Sequence, residues 1–165
     1  MNNNSDSVAR NAVEAVDVVK VYHTDSVDVR ALSGVSLEVP KGDMVAIMGP
    51  SGCGKTTLLN CLSGLDTIDG GVVRVDGVDI SELSDDAKSN YRARNMGFVF
   101  QFYNLLPVLS AVENVEMPLL VSGVPAKDAR ERALRALDLV HLVDWASHKP
   151  GALSGGQRQR VTIAR

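Results

Sequence analysis

Gly49-Pro50-Ser51-Gly52-Cys53-Gly54-Lys55-Thr56 reads GxxxxGK[ST] and stands between a short apolar run, MVAIM at 44–48, and an amphipathic stretch at 55–65. A polyphosphate needs a concave ring of backbone N–H groups. Gly49, Gly52 and Gly54 give the turn that freedom, Pro50, Ser51 and Cys53 complete the cradle, and a helix opening at Lys55 points its positive end at the anion. Lys55 then brings a point charge to the β- and γ-phosphates, the Thr56 hydroxyl takes one position on Mg²⁺, and Thr57 supports the phosphates. The segment predicts strand, loop and helix in an α/β fold, with 44–48 as a buried strand of a parallel sheet.

Outward from the loop, the N-terminal side is rich in strand signals. Residues 13–22 are apolar and β-branched, and 35–39 alternate apolar with polar residues, as half-buried strands do. Toward the C-terminus, 70–80 reads as a hairpin around Asp76-Gly77. Ser84 before Asp85 and Asp86 marks a helix start, and 97–100 (GFVF) is a further short apolar strand. Beyond Gln101 the pattern turns helical, with helices expected over 110–121 and 126–141. In the second of these, Asp128 with Arg132 and Glu131 with Arg135 are acid-before-base pairs on a solvated face. Residues 1–11 are polar and are expected to be frayed.

With 165 residues, 45% of them hydrophobic and 22% charged, the chain can bury a core and form one domain. A net charge of -3 speaks against nucleic acid as a partner. Cys53 and Cys61 are the only cysteines, with no CxxC and no histidine at zinc spacing, which predicts reduced thiols and no metal framework. No apolar stretch reaches the roughly 18 residues that span a bilayer, and the polar opening lacks a leader's apolar centre, so a cytosolic chain is expected.

A second motif, LSGGQRQR at 153–160, precedes a helical run in which Ser154 is a natural N-cap. The phosphate loop followed by LSGGQ resembles the nucleotide-binding domain of ATP-binding cassette (ABC) transporters, over nearly the whole chain. The resemblance implies ATP and Mg²⁺ as cofactors. It implies that Ser154, Gly155, Gly156 and Gln157 face the γ-phosphate of ATP held by a second copy, and that Tyr22 stacks on adenine. It also makes Gln101, at the end of GFVFQ, the Q-loop glutamine that positions Mg²⁺ and water, a catalytic role shared with Lys55. Residues 12–101 would be the phosphate-loop core with its antiparallel β portion, 102–151 a helical subdomain, and 152–165 the signature with the start of its helix. The stretches FVFQFYNLLPVLSAVENVEMPLL (98–120) and GGVVRVDGVDI (70–80) are similar to the macrolide-export and lipoprotein-release branch. The implied partners are a second nucleotide-binding domain, as a homodimer, and a membrane permease that holds the subunit on the inner face of the membrane.

The family's aspartate for Mg²⁺, its water-polarising glutamate and its switch histidine lie past its signature, and the 165 residues stop shortly after it. An N-terminal fragment is therefore expected, with an incomplete parallel sheet and no hydrolysis on its own. Leu139-Val140-His141-Leu142-Val143-Asp144 imitates an apolar strand ending in Asp, but it continues a helical pattern and is rejected. Two other readings share the phosphate loop. One is a non-transport ABC ATPase in DNA repair or translation. The other is a phosphate-loop kinase or GTPase, for which no guanine-reading Asn-Lys-x-Asp is present.

Overall fold

The long β-branched run near the N-terminus forms strand β1 (Asn11–His23). It pairs antiparallel with β2 (Asp28–Pro40) on one edge and with β3 (Gly70–Val75) on the other, and β4 (Val78–Asp79) completes a sheet ordered β2-β1-β3-β4. The computed structural model describes residues 11–24 and 26–165. The expected frayed opening, 1–11, lies outside the described residues except for Asn11, which already belongs to β1.

Strand β1 does not alternate simply. Ala15 and Val18 are both buried, because Asp17 is an extra residue between them, with φ +49, and the register against β2 shifts there. This is a β-bulge. The N–H of Asp17 donates to Ser36 Oγ at 2.8 Å. Across the sheet, a Cβ on Gly71 would sit 2.4 Å from the carbonyl oxygens of both Val16 and Asp17, so only glycine leaves room for the bulge. Beyond it Val18 and Lys20 are buried, and Tyr22 follows them on the same face.

Helix α1 (Lys55–Leu62) buries Leu58, Cys61 and Leu62 and packs on β1, β2 and β3. It ends sooner than the expected 65, because the N–H of Ser63 closes on Leu59 and Gly64 turns away with φ +64. Helix α2 (Asp85–Asn95) starts where Ser84 predicts, with Asp85 and Asp86 in its first turn and Arg92 and Arg94 in its last, the arrangement that a helix dipole favours. The Tyr91 hydroxyl ties it to the sheet through the Val75 carbonyl at 2.7 Å.

The chain divides into two compact units between Arg94 and Asn95. The second is helical, with α3 (Ala111–Val121), α4 (Ala126–Leu139) and α5 (Gly155–Ala164) joined through short 3-10 turns at Val143–Trp145 and Pro150–Ala152. Its core gathers Ala111, Val112, Val115, Ala133, Leu137, Leu142, Leu153 and Val161. Glu131 and Arg135 pair at 3.0 Å as their spacing predicts, whereas Asp128 and Arg132 form no ion pair among the described residues. Glu116 instead joins α3 to α4 through Arg130 at 2.8 Å.

One buried polar side chain organises the entry to this unit. Asn114, 2% exposed, accepts from the Leu106 N–H at 2.7 Å and donates to the carbonyls of Leu106, Leu109 and Ser110 at 3.1, 3.1 and 2.9 Å. Removing it strands several backbone groups away from water, which costs about 2–3 kcal/mol. Asn114→Ala is expected to lower stability by that amount in urea denaturation followed by Trp145 fluorescence.

Two expected strands and one expected helix do not form in the way foreseen. Residues 44–48 have no ladder among the described residues, and Met44 and Met48 are 98% and 88% exposed. Residues 97–100 are likewise not a strand; Phe98 and Phe100 stack their rings at 5.9 Å, but no ladder forms with them among the described residues, and the Phe100 carbonyl instead accepts from the Tyr103 N–H at 3.1 Å in a turn. No parallel sheet is therefore present among the described residues, because a strand needs partner backbone as well as apolar side chains. The expected continuous helix over 126–141 stops at Leu139, where His141 turns with φ +56. Leu139 to Asp144 is accordingly neither a strand nor an unbroken helix.

Candidate functional site

In the first unit the loop at 49–54 enters α1 as its sequence demands. Gly54 is the N-cap, with φ +91, and a Cβ there would lie 2.8 Å from the Ala31 carbonyl oxygen of β2. Both its conformation and its surroundings require glycine. Lys55 folds back over the loop: its Nζ donates to the carbonyls of Gly49 at 2.9 Å and Pro50 at 2.7 Å, and lies 3.6 Å from Cys53 Sγ. No acid balances this ammonium, since no carboxylate is within ion-pair distance of it among the described residues. A lysine held over a glycine-bent loop at a helix N-terminus is the chemistry of an anion site. Thr56 is exposed and Thr57 half-buried. Ser51, Gly52 and Cys53 are exposed, with Gly52 at φ +80.

Tyr22 lies in the same unit, 38% exposed. Its hydroxyl donates to Asp66 Oδ2 at 2.7 Å, and its ring carries the Lys20 ammonium 5.2 Å from the centroid. Lys20 Nζ reaches Asp66 Oδ1 at 3.0 Å and donates to Thr67 Oγ1 at 3.2 Å, while the Thr67 N–H donates to Asp66 Oδ1 at 2.8 Å. Asp66 thus accepts from three directions just past the end of α1. The strand is pinned beside it, with the Val21 N–H on Asp69 Oδ2 at 2.6 Å and the Asp69 N–H on the Val19 carbonyl at 2.9 Å.

The electrostatics of this group are self-consistent. Burial pushes the Asp66 carboxyl up, but hydrogen bonds from Tyr22, Lys20 and Thr67 together outweigh it and hold the group below the usual carboxylate range. Burial likewise pulls Lys20 down, and the bond to Asp66 with the charges of Asp66 and Asp69 brings it above an ordinary lysine. The Asp66 bond raises the Tyr22 phenol, against a downward pull from the Thr57 hydroxyl in α1. A lowered acid stabilises the fold above its unfolded pKa, and a raised lysine does so below its own. The pair therefore contributes fully from above the ordinary Asp range to below the ordinary Lys range.

The second unit holds the other expected residues. Gln101 is exposed in a turn, and Tyr103 and Asn104 after it adopt φ +63 and +49. This bend is fastened to α5. Thr162 Oγ1 donates to the Tyr103 carbonyl at 3.2 Å, Arg165 donates to the Asn104 carbonyl at 2.6 Å, and the Arg158 guanidinium stands 5.4 Å from the Tyr103 ring centroid. Ser154 and Gln157 spend their side chains on each other in a capping box: the Gln157 N–H donates to Ser154 Oγ at 3.3 Å, and the Ser154 N–H to Gln157 Oε1 at 2.8 Å. At this end of α5 the backbone N–H groups of Gly155 and Gly156 have no acceptor among the described residues.

Sequence reading missed Lys20, Asp66, Thr67 and Asp69. The available signal was Lys20 and Tyr22 two apart in a strand, a spacing that puts a charge and a ring on one face. Among the described residues no group of three or more His, Cys, Asp or Glu could hold a metal ion, and no helix is long and apolar enough to cross a membrane.

Against known proteins, residues 32–165 match the family described as ABC transporter. An uncharacterised ABC transporter ATP-binding protein of Thermotoga maritima is 51% identical over 94% of this chain and 67% of its own length. The lipoprotein-releasing system ATP-binding protein LolD of Bacteroides thetaiotaomicron is 49% identical over 82% of this chain and 62% of its own length. The macrolide export ATP-binding/permease protein MacB of Brucella melitensis is 48% identical over 90% of this chain but only 23% of its own length. Among solved structures, the ATP-binding cassette MJ0796, dimeric in a post-hydrolysis state bound to ADP and Pi, superposes with a TM-score of 0.84 at 42% identity, over 92% of this chain and 67% of that one. This likeness bears out the α/β phosphate-loop class. The chain spans about two thirds or less of the length of these proteins.

Proposed function

The chain belongs to the ABC transporter family, and from that premise we propose that it is the ATP-binding part of a transporter, coupling ATP binding and hydrolysis in a dimer to the movement of a membrane permease. The observation that carries this reading is Lys55. Its ammonium is held by carbonyls of its own loop and, among the described residues, by no acid, so phosphate oxygens can replace weak neutral acceptors with charged ones. Gly49, Pro50, Ser51, Gly52, Cys53, Gly54, Thr56 and Thr57 form the rest of the cradle, and Tyr22 offers its ring to adenine. Mg²⁺ would arrive with the nucleotide and take the Thr56 hydroxyl, with Gln101 as its second protein contact. When bound, Mg²⁺ and ATP supply the reacting phosphoryl group and the neutralising charge. In this reading Lys55 and the loop orient the phosphates, and Gln101 orients water.

Ser154, Gly155, Gly156 and Gln157 would serve the partner copy, their capped helix end presenting the two uncommitted glycine N–H groups to its γ-phosphate. The dimeric neighbour supports this arrangement, and the LolD and MacB likenesses support a permease and a peripheral place on the cytoplasmic face of the membrane. Hydrolysis is proposed for the whole protein, whose relatives are longer than these 165 residues. By the same reading the 165 residues alone bind nucleotide without turnover.

Equilibrium binding with Mg²⁺ tests the core of the proposal. ATP is expected to bind more tightly than inorganic tripolyphosphate, by the roughly 5- to 100-fold that base stacking is worth, and a strong preference for GTP over ATP would remove the adenine reading. Failure of all three ligands to bind would overturn the phosphate-loop reading. Equal affinity for ATP and tripolyphosphate would remove Tyr22 from the site.

A further inference from the structure

The cluster around Asp66 lies beside the phosphate loop without belonging to it. A tyrosine used as a stacking platform needs its ring plane fixed, because a ring that turns about its side-chain bonds presents a face only part of the time, and that ordering cost comes out of the affinity. Here two contacts on the tyrosine, and two more on the acid that holds it, fix the ring. The hydroxyl is held by Asp66 Oδ2 at 2.7 Å, the other carboxylate oxygen is held by Lys20 and by the Thr67 N–H, and Lys20 stands over the ring at 5.2 Å from its centroid. Lys20, with a side chain 8% exposed, covers one side of the ring and so leaves the opposite side as the one available to a flat ligand. Asp66 follows α1, the helix that opens at Lys55, so the same short stretch of chain sets the phosphate loop and the tyrosine hydroxyl.

We propose that Lys20 and Asp66 are positioning residues for base recognition: together they lock the Tyr22 ring in one orientation and leave a single face for the nucleobase. The inference rests on the reading of Tyr22 as the adenine platform. It makes Asp66 act on the base through Tyr22 and not on the phosphates, so its removal separates two affinities that a general loss of structure would lower together.

The test measures ATP and inorganic tripolyphosphate binding to the full-length protein in four forms: parent, Tyr22→Ala, Tyr22→Phe and Asp66→Asn. Tyr22→Phe removes a single exposed-side hydroxyl and leaves the fold undisturbed, so it remains informative even where the Asp66 variant folds poorly. Tyr22→Phe and Asp66→Asn are expected to weaken ATP by about 3- to 10-fold, a part of the full stacking effect, while tripolyphosphate stays within about 2-fold. If Tyr22→Ala leaves ATP unchanged, the platform reading itself fails. If Tyr22→Ala weakens ATP selectively but Tyr22→Phe matches the parent, the platform stands and the lock is overturned. Equal weakening of both ligands by Asp66→Asn, with Tyr22→Phe silent, would show that Asp66 only supports the fold, and would overturn it as well.

Discussion

Lys55→Ala is expected to reduce Mg-ATP affinity by at least about 100-fold. The side chain offers charge-assisted hydrogen bonds, each worth about 1.5–3 kcal/mol, and two such contacts to phosphate oxygens amount to about 3–6 kcal/mol. Neighbouring groups cannot take over, since no other lysine or arginine lies in residues 42–72. Nor should the fold suffer: Lys55 is half-buried at the first position of α1, and its bonds go to the loop's own carbonyls, which water can satisfy. Isothermal titration or fluorescent-nucleotide binding, with a melting curve to confirm folding, gives the answer. An affinity within about threefold of the parent would take Lys55 out of the site.

The second large effect concerns assembly. In the full-length protein, Ser154→Arg is expected to leave ATP binding by a single copy intact and to abolish ATP-dependent dimerisation and hydrolysis. The structural basis is local: Ser154 caps α5 by accepting the Gln157 N–H, and a long cation in its place both loses that bond, worth about 1 kcal/mol, and occupies the approach to the glycine N–H groups. Two further variants separate the causes. Ser154→Thr keeps the capping oxygen and should dimerise as the parent does, whereas Ser154→Ala loses the cap without adding bulk and should fall between. Light scattering with and without ATP, in a hydrolysis-deficient background, reads the dimer directly. Parent-like dimerisation by Ser154→Arg would end the assignment of 153–157 to the composite site.

What could be read from the sequence shares one property: its causes lie within a few residues. The loop before α1, the cap at Ser154, the Asp76-Gly77 hairpin and the Glu131–Arg135 pair are all settled by nearby atoms, and all stand where the sequence puts them. The run at 44–48 is different. Its composition announces a demand for burial, but a ladder is a relation between two backbones, and nothing in MVAIM states where its neighbour is. The residues of the candidate site divide in the same way. Lys55 and Gly54 declare themselves by motif, whereas Asp66 acquires its meaning only when the fold brings it to Tyr22, 44 residues away in the chain. Even the signature shows both halves, since its serine and glutamine are explained by each other, whereas the N–H groups of its glycines have no acceptor among the described residues.

The bulge at Asp17 means that β1 must choose between two registers when it forms. Residues 18–21 read Val-Val-Lys-Val, so a strand that ran on without the extra residue would still find valines for its inner face, Val19 and Val21, and would turn Lys20 and Tyr22 outward. Composition barely separates the two arrangements. The balance is set by Asp17, which the regular register would bury, by the Ser36 hydroxyl that receives its N–H, and by the space left at Gly71 for two carbonyls. A glycine on β3 thereby decides which way a tyrosine on β1 looks, although the two never meet. Any side chain at Gly71 would penalise the bulged ladder and shift the folding choice toward the slipped one, leaving a protein with its phosphate loop in place and its aromatic ring on the wrong side of the sheet.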